Sequence, residues 1–175
     1  MDSKEKHSTH STLRENIIEH LFAGEILRRL WQREILDAEI LKSEFDAGGY
    51  DLVLSCRNVT RHIQLKVSRL GGSRADVNVG TRLMSKPSGC VLWIIVDDAL
   101  VFREFRHFGS LAGHPLPDIS QMKIVKHTKG DSDGKKNERA NHRVVPKKCF
   151  TTAADMDALL QWLLGDEIWA SGTVA

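Results

Sequence analysis

The sequence predicts an α/β protein: helices laid on a mixed β-sheet. Three observations carry that prediction. Residues 11–32 repeat apolar side chains with helical spacing. Residues 51–56 and 60–68 are short apolar segments joined by a tight connection, the mark of a hairpin. Residues 90–96 (CVLWIIV) form an unbroken apolar run, as in a strand buried on both faces.

Taken in order, residues 1–11 are polar and read as a flexible leader. In the helix over residues 11–32, Ser11 or Thr12 suits the N-cap, with Glu15 where a capping-box acid belongs. Leu13, Ile17, Ile18, Leu21, Phe22, Ile26, Leu27, Leu30 and Trp31 spread around most of its wheel, so burial by more than one neighbour is expected. Trp31 and Trp93 are assigned to the core. The later part of residues 35–45 reads as a strand, followed by the turn Ala47-Gly48-Gly49. The hairpin comes next, then a loop at Gly71-Gly72-Ser73. Residues 75–86 read as a short helix over the sheet. The buried run at 90–96 turns at Asp97-Asp98 into a partner strand at 101–105. Glycines and prolines make 109–120 a loop, and 122–125 a last short strand. Residues 126–148 read as a polar, basic loop, and 155–164 as an amphipathic helix with Met156, Leu159, Leu160, Leu163 and Leu164 on one face. Hairpins and crossovers both occur, which is why the sheet is expected to be mixed.

The chain's 175 residues suffice for one domain with a real core. No apolar run approaches the roughly 20 residues of a membrane-spanning helix. The three cysteines, Cys56, Cys90 and Cys149, are odd in number and lack metal-type spacing. A disulfide framework is therefore not expected, and a reducing cytoplasm is. The formal net charge of +2 conceals a strong division. Residues 51–150 carry +9, while residues 1–50 carry −3 and residues 151–175 carry −4. A basic centre between acidic ends fits a polyanionic partner.

The stretch GGYDLVLSCRNVTRHIQLKVS, residues 48–68, carries the chemistry. Side chains two apart on a strand share a face, so Gln64 and Lys66 project together while Ile63, Leu65 and Val67 point to the core. The hairpin brings Asp51 beside them. A carboxylate, a carboxamide oxygen and a backbone carbonyl near Leu65 are oxygen donors of the kind Mg²⁺ takes. Lys66 can position or deprotonate a water, or stabilise charge developing on a phosphate. His62 shares this face, and His107 reads as a hairpin-end residue.

This pattern resembles the PD-(D/E)XK nuclease superfamily, the restriction-endonuclease-like fold, over residues 12–106. Asp51 matches the family's strand-start aspartate and Lys66 its lysine. Gln64 stands where the second acid usually is, a departure that removes one negative charge. The resemblance implies a three-layer core with a central mixed sheet flanked by helices, and a single nuclease-like domain over residues 12–175. It also implies a glutamate from the first helix. Glu25 fits an acid two to three turns before that helix ends, with Glu19 next and Glu15 also a candidate. The implied activity is Mg²⁺- or Mn²⁺-dependent hydrolysis of nucleic acid, most readily DNA, with Glu25, Asp51 and Gln64 as metal ligands. Lys126, Lys129, Lys135, Lys136, Arg139, His142 and Arg143 are then expected to contact the phosphate backbone, and a homodimer is expected to span a duplex. The alternative, prompted by Gln64, is an inactive nuclease-like domain that binds nucleic acid or a protein partner.

Overall fold

The computed structural model describes residues 5–6, 9–44, 48–126 and 137–172. Lys129, Lys135 and Lys136 lie outside the described residues, as does the stretch 127–136 of the basic loop predicted around them. The protein is α/β, with three layers: helices, a six-stranded mixed sheet and a smaller three-stranded sheet.

Helix α1 spans Ser11–Gln32. It has no side-chain cap, because a preceding turn runs into it: the Lys6 carbonyl accepts from the His10 N–H at 3.1 Å. Ser11 and Thr12 are therefore not the cap. Strand β1 (Ala38–Lys42) pairs with β2 (Leu52–Cys56), and β2 pairs with β3 (Val59–Arg69), both antiparallel. The β2–β3 hairpin turns through Arg57 and Asn58, with Arg57 at φ 52°.

The chain then crosses over through β4 (Asp76–Gly80) and a short 3-10 turn, Thr81–Ser85. It returns as β5 (Gly89–Val96), parallel to β3. Strand β6 (Phe102–Gly109) pairs antiparallel with β5, and β9 (Thr151–Ala153) closes the edge, giving the order β1-β2-β3-β5-β6-β9. The second sheet has the order β4-β8-β7, from β7 (Ile124–Lys126) and β8 (Glu138–Pro146). Helix α2 (Met156–Leu164) starts at Asp155, whose carboxylate accepts from the Ala158 N–H at 2.8 Å. It stops at Gly165, whose φ of 87° ends the α conformation. Helix α3 is Asp166–Ser171. No helix among the described residues is long and apolar enough to cross a membrane.

All eight residues of β5 are buried, and their alternation explains the layering. Cys90, Leu92, Ile94 and Val96 face α1, α2 and α3. Val91, Trp93 and Ile95 face the second sheet, where they meet Val77, Val79, Leu83 and Val145. α1 contributes Ile18, Phe22, Ile26 and Leu30, each no more than 1% exposed. Truncating a buried phenylalanine such as Phe22 to alanine costs about 3–5 kcal/mol.

Several expectations are corrected here. One face of the main sheet is covered by helices, but the other is covered by a sheet. Residues 76–80 are a strand because Val77 and Val79 alternate into the core and pair opposite β8. Most of the C-terminal half of the predicted basic loop is β8. Its burial is mainly intermediate or exposed, with Val145 the residue that anchors it in the core, so its composition resembles that of a solvated loop. α1 is not buried on several sides: Leu13, Ile17, Leu21, Leu27 and Trp31 stay exposed, Trp31 by 72%. Trp93 is core, at 1%.

Candidate active site

Asp51 lies just before β2, within reach of the hairpin ladder. Its N–H donates to the Ile63 carbonyl, and its own carbonyl accepts from the Ser43 N–H, each at 2.9 Å. With the backbone held on both sides, the carboxylate reaches β3, where Oδ2 accepts from the Leu65 N–H at 2.6 Å. This contact fixes the aspartate against the segment that carries Gln64 and Lys66.

Lys66 is half-buried and lines a cavity of about 320 Å³ together with Asp51. Glu15 and Glu19, from the first half of α1, line it too. The second sheet and the loop before it bring Arg74, Asn78, Arg139 and His142. Acids from α1 and the β2 start therefore meet cations from the second sheet, with Lys66 in the same cavity. Glu19 and Asp51 also line an adjoining hollow with Lys42, Ser43 and Tyr50. There the Lys42 ammonium pairs with Glu19 Oε2 at 2.7 Å.

Glu25 does not line this cavity. It lies six positions beyond Glu19, about 9 Å along the helix at 1.5 Å per residue. Its carboxylate accepts from Arg28 at 2.7 and 2.8 Å and from Arg29 at 2.9 Å. These contacts, Arg28 foremost, hold its carboxyl below the ordinary 4.5 against the opposing effect of burial. Glu25 borders a separate hollow with Phe102 and Thr152. Of the three helix acids weighed from sequence, Glu15 and Glu19 reach the Asp51–Lys66 cavity.

Gln64 is on the expected strand face, but it is 4% exposed and packed between the two sheets. Its Oε1 accepts from the Gly80 N–H at 3.3 Å. A Cβ on Gly80 would lie 3.5 Å from the Gly49 Cα and 3.8 Å from Gln64 Nε2, in ordinary van der Waals contact with both. Its oxygen is engaged by that N–H, and metal ligation is not the role its contacts describe.

Arg139 and His142 line the cavity. Arg143 instead donates to the backbone carbonyls of Ser120 at 2.9 Å, Ala140 at 2.6 Å and His142 at 3.1 Å, and so braces β8. Lys126 ends β7 opposite Glu138. His62 shares a hydrogen bond with the Pro87 carbonyl at 2.7 Å and packs edge-on against Tyr50. His107 lies on the helix-covered side, its ring 3.9 Å from that of Trp162, and burial followed by the charge of Arg61 pushes its pKa down. Arg74 and Asn78 were not anticipated. The Val77/Val79 alternation was the available signal, since it turns Asn78 away from the core.

Among the described residues, no group of three His, Cys, Asp or Glu side chains is arranged to hold a metal ion. The donor chemistry around the cavity still suits a hard cation. Mg²⁺ commonly takes one or two carboxylates and keeps several waters, and Asp51 and Glu19 both line this cavity. The chain matches no protein-family model and no curated protein.

Proposed function

We propose that this chain is a metal-dependent phosphodiesterase acting on nucleic acid, with DNA as the first substrate to test, and that its core is of the restriction-endonuclease-like kind. The observation that carries the reading is the joint lining of one cavity by Asp51, Glu19 and Lys66 together with Arg74, Arg139 and His142. A second feature supports it: a helix, a three-stranded meander and a strand parallel to the third occur in the order that superfamily uses. Two departures stand beside it. The crossover to β5 contains a strand and a 3-10 turn, and Gln64 replaces an acid.

Asp51 and Glu19 would hold Mg²⁺ or Mn²⁺, which when bound lowers the pKa of a water and screens phosphate charge. The chain's own groups do the rest. Arg74 and Arg139 attract and orient a phosphate that the carboxylates alone would repel. Lys66 orients the attacking water or offsets the charge that develops on phosphorus. Leu65, through its N–H, keeps the Asp51 carboxylate aimed.

The test is cleavage of plasmid and linear DNA with and without Mg²⁺ or Mn²⁺. Lys66→Ala is expected to lower cleavage by about 100-fold or more, while circular dichroism shows the variant still folded. Equal cleavage by Lys66→Ala overturns the reading. The second reading, a nucleic-acid-binding domain that does not cut, is favoured by the buried, engaged Gln64 carboxamide. It predicts salt-dependent DNA binding without hydrolysis.

A further inference from the structure

Glu19 is not bare. Strand β1 alternates Ala38, Ile40 and Lys42 onto one face. Ala38 and Ile40 pack against the helix-side core, and Lys42, the last residue of the strand, continues that face past the apolar contacts. Its ammonium meets Glu19 Oε2 at 2.7 Å. The register sets Lys42 opposite Leu52, one residue after Asp51. The two carboxylates assigned above to a metal ion therefore lie beside a lysine that stands outside the Asp51, Gln64 and Lys66 motif.

The partners of this ion pair differ in freedom. The Glu19 side chain is 17% exposed and the Lys42 side chain 45%. A lysine ammonium is a compact charge on a flexible four-carbon stem, so Lys42 is the partner that moves. It has a defined place to go. Lys42 lines the hollow of about 540 Å³ that adjoins the cavity at Glu19 and Asp51, together with Asn16, Ser43 and Tyr50. That volume falls within the roughly 300–1,000 Å³ of small-ligand sites. The hollow flanks the carboxylates, so a strand whose scissile phosphate sits at Asp51 and Glu19 would carry a neighbouring phosphate into it.

A divalent cation and an ammonium on one carboxylate repel each other. Cation entry alone must break the Lys42–Glu19 pair and leave the ammonium to water. With a strand in place, a phosphate takes the ammonium instead. We propose that Lys42 is a positioning residue that exchanges partners: it holds Glu19 in the resting site and passes to a phosphate in the adjoining hollow when the cation binds. Metal and nucleic acid then bind cooperatively, because each favours the state in which the pair is open. The inference rests on the metal-dependent reading given above.

Calorimetric titration with Mn²⁺ tests it, in a Lys66→Ala background that keeps nucleic acid uncut. Lys42→Met removes the charge and keeps the stem, and circular dichroism checks its fold. Lys42→Gln, suited to an exposed strand end, is expected to show the same shifts. Without nucleic acid, either variant is expected to bind Mn²⁺ about five- to tenfold more tightly than its parent, since nothing has to leave Glu19. A DNA oligonucleotide is expected to tighten Mn²⁺ binding at least about fivefold in the parent, and less than about twofold once Lys42 is replaced. This second shift separates partner exchange from the loss of a nearby positive charge, which would leave the oligonucleotide's effect in place. Equal or weaker Mn²⁺ binding by the Lys42 variants overturns the inference and leaves the metal-dependent reading standing. So does an oligonucleotide effect that is the same with and without Lys42. Absence of Mn²⁺ binding from parent and variants alike overturns both.

Discussion

Replacing Gln64 by leucine separates a brace from a ligand. The Gln64 carboxamide is 4% exposed, and its Oε1 is the acceptor for the buried Gly80 N–H at 3.3 Å. Leucine keeps most of the volume but removes the acceptor. A buried N–H left without a partner costs about 1–3 kcal/mol. The bond is longer than the usual 2.7–3.2 Å, which puts the loss in the lower half of that range, at about 1–2 kcal/mol. For a chain of this length each kcal/mol moves the melting temperature by about 2–4 °C. Gln64→Leu should therefore melt about 2–8 °C lower, followed by circular dichroism. Gln64→Glu keeps an acceptor for Gly80 and adds a buried carboxylate near Asp51. It should be less stable than the parent, because the added charge is buried. If Gln64→Leu melts within about 1 °C of the parent, the two sheets are not braced here and the argument fails.

Three further outcomes are expected. Glu19→Gln should reduce any metal-dependent cleavage severely, whereas Glu25→Gln should leave cleavage intact and cost about 0.5–1 kcal/mol in urea unfolding, since it loses two helix-surface pairs; the reverse assignment of the two effects would return the helix acid to Glu25. His107 is pushed below its ordinary 6.5 by burial and then by Arg61. The unfolded chain therefore takes up this proton first, and the stability tied to neutral His107 is present above 6.5 and lost as pH falls below it. Glu25 and Glu104, lowered from 4.5 by Arg28 and Arg106 respectively, lose their contributions only at more acid pH. Urea midpoints should thus fall between pH 7 and 5.5, and His107→Gln should flatten that segment. Gly109 has φ 148°, and a Cβ there would lie 2.9 Å from the Cys90 Cβ. Gly109→Ala should cost about 2 kcal/mol or more, and an unchanged melting temperature would show that the open end of the β5–β6 ladder relaxes freely.

The amino-acid sequence alone determined those elements whose signal is local. The helical spacing of Ile18, Phe22, Ile26 and Leu30 marks α1, and the two-residue alternation of Ile63, Leu65 and Val67 marks β3. These periods follow from backbone sterics and need no knowledge of neighbours. The same alternation put Gln64 and Lys66 on one face, and the hairpin brought Asp51 to them. What the sequence could not decide depends on contacts between distant segments. β8 is a strand because Val145 pairs opposite Val77, and nothing within its own polar residues announces that partner. Glu19 and Glu25 are chemically alike on one helix, and only the placement of α1 against the β2 start puts Glu19 in the cavity and leaves Glu25 with Arg28 and Arg29. The two apolar faces of α1 likewise look equivalent on a helical wheel. Docking against one sheet buries a single face of a helix, so tertiary structure alone decided that Phe22 is core and Trp31 meets solvent.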